Sequence, residues 1–216
     1  MISAEARSLS PTPYPSRLAR ALKVALHLSQ ALLTAALCYR RMTPRRRLAF
    51  KQRWSRRLLE ILGIRLEIRQ EAGETDAPPG CLIVANHISW LDIFVIDALR
   101  PAAFIAKAEV RAWPLAGWLA ARNDTIFLNR NSRQHARQVN AEIAARLDAG
   151  FDVAIFPEGR TSDGARLLEF HAALLQAAIA TGRPVLPMAL SYHDAHGQPS
   201  AAPSFADVTL PRCFAA

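Results

Sequence analysis

The sequence predicts an α/β fold in which a mixed, largely parallel sheet is covered by helices, and three observations support this prediction. From residue 65 onwards, short apolar runs typical of buried strands alternate with longer segments of helical periodicity. Several of the runs end at polar residues, where parallel sheets place their ligands. A basic, amphipathic stretch precedes the alternation and indicates a separate surface-binding motif.

Charge divides the chain into two parts. Residues 1–70 hold 15 Lys or Arg and 3 Asp or Glu, a net charge of +12, whereas residues 71–216 have a net charge of −3. The basic part is therefore expected to bind an anionic surface, either a lipid bilayer or a nucleic acid. The cysteines Cys38, Cys81 and Cys213 are scattered, which favours a reducing compartment and argues against structural zinc.

The first 64 residues are expected to comprise a disordered tail, residues 1–16, and a two-helix membrane-association motif, residues 17–64. In the first helix, residues 17–39, a polar stripe lies opposite a row of leucines and alanines. This pattern fits a helix lying in a membrane interface better than one spanning it, although the length leaves a single span open. The polar stripe comprises Ser16, Arg20, Lys23, His27, Gln30 and Thr34.

A second helix is predicted to begin at Thr43-Pro44, a cap followed by a first-turn proline, and to end at Gly63. Phe50 and Trp54 lie opposite a run of arginines, which favours membrane-surface binding over simple packing on the domain. DNA binding is the weaker alternative, because no recognition-helix or aromatic RNA-binding pattern is present.

The alternating elements then follow in order. Strands are predicted at residues 66–68, 82–85, 103–106, 125–128, 153–156 and 185–190. Helices are predicted at residues 90–100, 109–121 with a bend at Pro114, 132–147 and 168–180.

The sharpest candidate site follows the strand at residues 82–85. His87 stands at its carboxyl end, and Asp92 lies in the first turn of a helix that Ser89 can cap. A neutral histidine held by a carboxylate can take a proton from a hydroxyl and make it a nucleophile. The alternative is a hydrogen-bonded histidine in a turn beside an exposed aspartate.

Later strand ends carry cations and glycines. Arg130 follows the strand at residues 125–128, and Lys107 stands next to another strand end. The loop from Phe156 to Gly164 contains Glu158, Gly159, Arg160 and Thr161. Arginines beside backbone N–H groups freed by glycine make good phosphate sites. Each of these residues taken alone could equally be a surface charge or part of a plain turn.

Taken together, the order and spacing of these motifs resemble the four blocks of the glycerolipid acyltransferases, most closely the bacterial 1-acyl-glycerol-3-phosphate acyltransferases of the PlsC type. The blocks are Asn86-His87-x-x-x-x-Asp92, Phe127-x-x-Arg130, Phe156-Pro157-Glu158-Gly159 and Val185-x-Pro187. The resemblance covers residues 65–210, and the helix pair before them is similar to the two-helix membrane motif of that family.

The resemblance implies roles for these residues. His87 is the expected general base, and Asp92 is expected to orient it. The residues expected to bind the acceptor are Arg130, Glu158, Gly159, Arg160, Thr161 and Lys107. Val185 and Pro187 are expected to serve the acyl donor or its tunnel. No metal and no cofactor is implied, since acyl-CoA or acyl carrier protein is a co-substrate.

The same resemblance implies partners and a location. The expected partners are a lysophospholipid, the thioester donor and an anionic membrane surface, and no nucleic acid. The expected location is the cytoplasmic face of the bacterial inner membrane, peripheral or through a single span.

Departures from the family pattern leave alternatives open. Arg160 precedes Thr161, whereas the usual third block has threonine before arginine. The loop from Phe156 to Gly164 as a whole looks more like the branch with Thr-Thr-Ser-Asp-Gly, which includes lyso-ornithine lipid acyltransferases. His171 stands where many relatives carry lysine. The acyltransferase domain, residues 65–216, ends soon after residues 205–210, where relatives continue, which suggests a truncated domain and leaves a catalytically silent lipid-binding remnant as an alternative.

Overall fold

The computed structural model describes residues 2–7, 14–70, 77–129 and 133–200, and within these segments it contains seven strands and six α-helices. The strands are β1 (Ile2–Arg7), β2 (Arg65–Arg69), β3 (Leu82–Ala85), β4 (Ala103–Lys107), β5 (Ile126–Leu128), β6 (Val153–Ile155) and β7 (Val185–His193). The helices are α1 (Tyr14–Leu37), α2 (Pro44–Leu62), α3 (Leu91–Leu99), α4 (Ala116–Arg122), α5 (Arg133–Asp148) and α6 (Gln176–Thr181). Residues 205–210 and Cys213 lie outside the described segments.

All described strands form one sheet in the order β2-β1-β7-β3-β6-β4-β5. The β1–β2 pair is antiparallel, and every other neighbouring pair is parallel. The predicted mixed, largely parallel sheet is thus confirmed. Because β3, β4, β5 and β6 run in the same direction, the residues that follow them meet at one edge of the sheet, the carboxyl edge.

Helices cover both faces of the sheet, as the alternating side chains of β3 show. Leu82 and Val84 belong to the apolar core beneath α5 and α6, whereas Ile83 and Ala85 belong to the core beneath α2 and α3. A strand buried on both faces has no polar alternation, which explains the continuous apolar run at residues 82–85.

The expectation of a disordered tail over residues 1–16 is wrong for residues 2–7, which form β1 between β2 and β7. The sequence Ile2-Ser3-Ala4-Glu5-Ala6-Arg7 alternates apolar and polar residues, and the edge of β7 offers unpaired backbone groups. Residues 8–13 of the expected tail lie outside the described segments.

The helix predicted over residues 168–180 begins later, as a short 3-10 turn at Ala172–Leu175 that continues into α6. The preceding backbone is held by the loop after β6, because Leu168 N–H donates to Glu158 Oε2 and His171 N–H donates to the Pro157 carbonyl. These contacts replace the first helical turn. The predicted bend at Pro114 is present, since a 3-10 turn at Ala108–Ala112 precedes α4.

The second helix has the predicted boundaries, whereas α1 spans Tyr14–Leu37 instead of residues 17–39, and the aromatic face of α2 has an unexpected orientation. Thr43 caps α2 by accepting a hydrogen bond from Arg46 N–H, and Gly63 ends it with a left-handed φ of 76°. Trp54 is buried against Ala31 and Phe94, so the interpretation that Trp54 faces a membrane is wrong. Its indole stacks on His27, at 4.5 Å between ring centroids, and donates to the His27 carbonyl. Part of the polar stripe of α1 therefore packs on α2.

The leucines of α1 point away from the protein. We call Leu18, Leu22, Leu26, Leu33 and Leu37 the leucine face, and each of these side chains is between 60% and 75% exposed. In the described part of the chain, no helix combines the length and the apolarity that crossing a bilayer requires.

Candidate active site

A buried carboxylate and a partly exposed imidazole form the centre of the candidate site at the carboxyl edge. His87 Nδ1 lies 2.7 Å from Asp92 Oδ2, and the Asp92 side chain is fully buried whereas 20% of the His87 side chain is exposed. The contact assigns the imidazole proton to Nδ1 and leaves the lone pair on Nε2. Within the described segments, Nε2 has no hydrogen-bond partner.

Local sequence explains why Asp92 reaches His87. The chain turns after β3, and the Asp92 carboxylate accepts N–H groups of both Ile88 and Ser89, at 2.7 and 2.9 Å. Ser89 Oγ accepts from Leu91 N–H, as its predicted capping role requires. The carboxylate thus satisfies free N–H groups at the beginning of α3 while it holds the imidazole.

A residue that sequence reasoning missed completes the environment of the carboxylate. The Tyr192 hydroxyl of β7 donates to Asp92 Oδ1 at 2.6 Å. Burial, and then the nearby Asp92 charge, raise the pKa of Tyr192 well above its usual value, so the hydroxyl remains a donor. Tyr192 is a hundred residues from Asp92 in sequence, and only the pairing of β7 with β3 brings the two together.

The loop after β6 supports the imidazole from the other side. The Phe156 ring stacks on the His87 ring, with 4.0 Å between centroids and 11° between planes. Ser162 N–H donates to the His87 carbonyl at 2.8 Å. Ring and backbone of His87 are therefore both fixed, which lowers the cost of holding the base in one orientation.

Glu158 connects the loop after β6 to the backbone of His87. Its Oε1 accepts His87 N–H at 2.9 Å and its Oε2 accepts Leu168 N–H at 3.0 Å, and the side chain is buried. Each carboxylate oxygen thus accepts one backbone N–H, and the expected role of Glu158 in binding the acceptor stays a prediction. The following Gly159 has a φ of 70°, a left-handed conformation that suits glycine in the turn after Glu158.

Three of the expected acceptor-binding residues lie at the same edge as His87. Lys107 ends β4, two strands from β3 and thus about 10 Å away along the sheet edge. Arg160 and Thr161 follow Gly159, and Arg160 makes no hydrogen bond or ion pair within the described segments. The Lys107 and Arg160 side chains are exposed and available to an anionic ligand. Arg130 lies outside the described residues.

The fourth block is placed differently from the other three. Val185 pairs with Leu82 at the amino end of the parallel β3–β7 pair, whereas His87 lies beyond the carboxyl end. Pro187 pairs with Val84, and both Val185 and Pro187 are exposed on the side of β7 that faces away from its buried residues. The structure does not bring Val185 to the site, and a role for either residue in the acyl tunnel stays a prediction.

Asn86 also has a defined position that sequence reasoning did not anticipate. Its side-chain amide donates to the Leu190 carbonyl and accepts from Leu190 N–H, at 2.9 and 2.7 Å. The amide therefore extends the pairing of β3 with β7 by one unit and fixes the backbone just before His87. In the described segments, no group of three or more His, Cys, Asp or Glu is arranged to hold a metal ion.

Comparisons with known proteins agree with this geometry. Residues 68–191, more than half of the chain, match the acyltransferase family model. The 1-acyl-sn-glycerol-3-phosphate acyltransferase of Neisseria meningitidis serogroup B is 47% identical over 159 residues, which cover 74% of this chain and 62% of that protein. The lyso-ornithine lipid O-acyltransferase of Pseudomonas aeruginosa is 44% identical over 139 residues, which cover 64% of this chain and 52% of that protein.

A solved structure is similar as well. The 1-acyl-sn-glycerophosphate acyltransferase PlsC of Thermotoga maritima matches with a TM-score of 0.56 at 22% identity, over 82% of this chain and 83% of that chain. At this identity the likeness concerns the fold, and it confirms the expected glycerolipid acyltransferase fold. The chain spans less than two thirds of the length of the two curated relatives, 62% and 52%.

Proposed function

Because the chain belongs to the acyltransferase family, we propose that it transfers an acyl chain from a thioester to the free hydroxyl of a lysophospholipid. The favoured acceptor is 1-acyl-glycerol-3-phosphate, which gives phosphatidate, and the donor is acyl-CoA or acyl carrier protein. One observation carries the proposal. The Nδ1 of a partly exposed imidazole is bound to a fully buried carboxylate at 2.7 Å, while its Nε2 is left open.

The chemistry follows from this pair. His87 Nε2 takes the proton of the acceptor hydroxyl as the hydroxyl oxygen attacks the thioester carbonyl carbon. Asp92 stabilises the imidazolium that forms. The new C–O bond replaces the C–S bond, and the imidazolium returns its proton to the departing thiolate. Because a thioester is already activated, one base and correct positioning supply most of the acceleration.

Charge at the carboxyl edge supports a phosphate-bearing acceptor. Lys107 and Arg160 are exposed there, and Arg130 is expected to add a third cation. Guanidinium and ammonium groups bind phosphate through short, charge-assisted hydrogen bonds. A lyso-ornithine lipid is the second candidate acceptor, favoured by the 44% identical relative and by the order Arg160-Thr161 in the loop after β6.

We place the enzyme on an anionic bilayer through the leucine face of α1. These five leucines are exposed, and each contributes about 1–2 kcal/mol when buried in the acyl region. Arg40 and Arg41, which follow α1 in the chain, add attraction to anionic headgroups. On this proposal the lysolipid arrives from the bilayer and the thioester from water, at the cytoplasmic face of the inner membrane.

The test is His87→Ala, assayed with labelled thioester against lysophosphatidate and lyso-ornithine lipid, each with both donors. Loss of the base lowers turnover by about 10²–10⁴-fold, while vesicle binding stays at the wild-type level because His87 is not part of the leucine face. His196→Ala, which changes an exposed histidine beyond β7, is the matched control. Turnover by His87→Ala within tenfold of the wild type contradicts the assigned base.

A further inference from the structure

A cavity of about 300 Å³ lies beside the end of α1, lined by Tyr39, Arg40, Arg47 and Arg122. An adjoining cavity of about 230 Å³ shares Tyr39 and Arg47 and reaches Ala103, the first residue of β4. Both cavities are therefore at the amino edge of the sheet, opposite the edge that carries His87. They are separate from the candidate active site.

The lining of the larger cavity is cationic. Three of its four residues are arginines, and none is a carboxylate. Two of these arginines are fixed by the backbone near the end of α1, since Arg47 Nη2 donates to the Tyr39 carbonyl at 2.6 Å and Arg122 Nη1 donates to the Ala35 carbonyl at 3.1 Å. Like charges are thus held close together, and the nearby carboxylates Asp124 and Asp152 line only the adjoining cavity.

One guanidinium atom in this cluster lacks an acceptor. Arg47 Nε is buried and has no hydrogen-bond partner in the described segments. A buried N–H without a partner is unfavourable, and an oxygen supplied from outside would satisfy it. The third arginine, Arg40, is exposed and makes no hydrogen bond or ion pair in the same segments, so its guanidinium is available to a ligand.

We propose that this cavity binds a phosphate group, supplied either by the headgroup of an anionic lipid or by soluble phosphate. Guanidinium groups match phosphate oxygens in geometry and charge. A lipid source rests on the proposed membrane-surface function, and position favours it, because Leu37, at the end of the leucine face, precedes Tyr39 by two residues. A bilayer that takes up the leucine face thus meets the cavity at the level of its headgroups.

The experiment compares three variants of the full chain. Arg40→Gln removes one exposed cation that makes no hydrogen bond or ion pair in the described segments, so the variant should fold as the wild type does. Arg47→Lys keeps the charge but removes the Nε donor and the planar fork. Arg53→Gln is the matched control, because Arg53 is an exposed arginine of α2 outside the cavity lining. Melting temperatures establish that each variant is folded.

Two probes separate the possible sources. Cosedimentation measures affinity for vesicles of phosphatidylglycerol in phosphatidylcholine at physiological salt, and titration calorimetry measures inorganic phosphate. Arg40→Gln weakens vesicle binding by about fivefold, the effect of one cation at a headgroup surface. Arg47→Lys keeps the charge and weakens binding by a similar factor because lysine lacks the planar hydrogen-bonding fork. Arg53→Gln weakens it by less than twofold. A loss confined to inorganic phosphate assigns the site to soluble phosphate.

Equal losses in all three variants would mean that the arginines attract anions only diffusely. No loss in Arg40→Gln with either probe would mean that the arginines only stabilise the end of α1. Either result would overturn the phosphate site. Wild-type turnover in neutral detergent micelles tests the proposed function separately. An inactive wild type whose Arg40→Gln and Arg47→Lys variants still lose affinity would overturn that function and keep the phosphate site.

Discussion

The carboxyl edge of the sheet and the N-terminal helix pair differ in which side chains they bury. The carboxyl edge buries carboxylates, and the helix pair leaves leucines exposed. At the carboxyl edge the Asp92 and Glu158 carboxylates are buried with partners for both oxygens, and Asp92 accepts four donors. In the helix pair His27 of the polar stripe of α1 packs on α2, whereas the leucine face is exposed. On the proposed function, the first region serves a reaction and the second binds a surface outside the protein.

The two regions differ in which partners stabilise them. Both oxygens of Asp92 accept hydrogen bonds from groups of the protein itself, and these bonds hold the imidazole in one orientation for proton transfer. The leucine face gains nothing within the described protein and becomes favourable only when a bilayer covers it. A change in one region should therefore leave the function of the other intact, and the following predictions use this separation.

The largest effect is expected from Asp92→Asn. The amide cannot stabilise the imidazolium, and its NH₂ group is a poor match for the four donors that the carboxylate accepts. We expect turnover to fall by about 10²–10⁴-fold, with vesicle binding unchanged. The control is Asp97→Asn, the other buried aspartate of α3, whose turnover per folded molecule should match the wild type. Similar turnover in both variants would refute the role of Asp92.

The double change Leu22→Glu with Leu26→Glu should act on the other region. Both side chains are more than half exposed, so the free energy of unfolding should change by less than about 1 kcal/mol. Losing two leucine insertions of about 1.5 kcal/mol each should weaken vesicle binding by about 100-fold. Ile179→Glu, at an equally exposed position on α6 across the sheet, is the control. If both variants bind vesicles equally well, the leucine face is not the membrane contact.

A smaller effect is expected from Tyr192→Phe. Asp92 Oδ1 loses its donor in a buried place, which should lower turnover by about 5–30-fold. The groups that face Asp92 are His87, Tyr192 and the two N–H groups of the turn, and Glu158 holds His87 N–H behind them. With one donor fewer, the carboxylate holds the imidazole less firmly, so the loss should fall on kcat while KM for the acceptor stays close to the wild-type value.

The control for this change is Thr181→Val, which removes a hydroxyl bonded within α6 and should leave both kcat and KM at the wild-type values. An unchanged kcat in Tyr192→Phe, or a loss that falls on KM alone, would contradict the positioning role of Tyr192.

The sequence was informative about the carboxyl edge because its contacts are short in sequence. His87 and Asp92 are separated by one turn, and the boundaries of β3 and α3 follow from an apolar run and a serine cap. The hydrogen-bond partners of Tyr192 and Glu158 could not be predicted from the sequence, because they depend on which strands become neighbours. An apolar-polar alternation over β7 was the available signal, and it marks Tyr192 as buried without naming its partner.

In the helix pair, Thr43, Pro44 and Gly63 predicted the boundaries of α2 but not the direction of its aromatic face. Periodicity shows which residues share a face, and it does not show what covers that face. A histidine-to-indole stack makes the polar stripe of α1 a packing surface, and that pairing joins residues 27 and 54 across two helices.

The smallest effect is expected where α3 contacts α2. Asp97 Oδ1 lies 3.2 Å from Lys51 Nζ and accepts Ala102 N–H. Burial raises the pKa of Asp97 to about 6, although Lys51 opposes the shift. An unfolded aspartate has a pKa of about 3.9. Between these values the folded protein binds more protons than the unfolded chain, so the contribution of Asp97 to stability is full at low pH and is lost as pH rises towards 6.

Asp97→Asn abolishes this titration. The free energy of unfolding is measured in urea from pH 4 to pH 7. As pH rises from 4 to 6 the wild type loses stability that the variant keeps, so the value for Asp97→Asn should rise relative to the wild type by about 1–3 kcal/mol. The exposed pair of Asp148 with Arg183 provides the control, since Asp148→Asn should track the wild type across the same range. Parallel curves of unfolding free energy against pH for Asp97→Asn and the wild type would show that Lys51 keeps Asp97 ionised. The contact between α2 and α3 would then be an ion pair throughout this pH range.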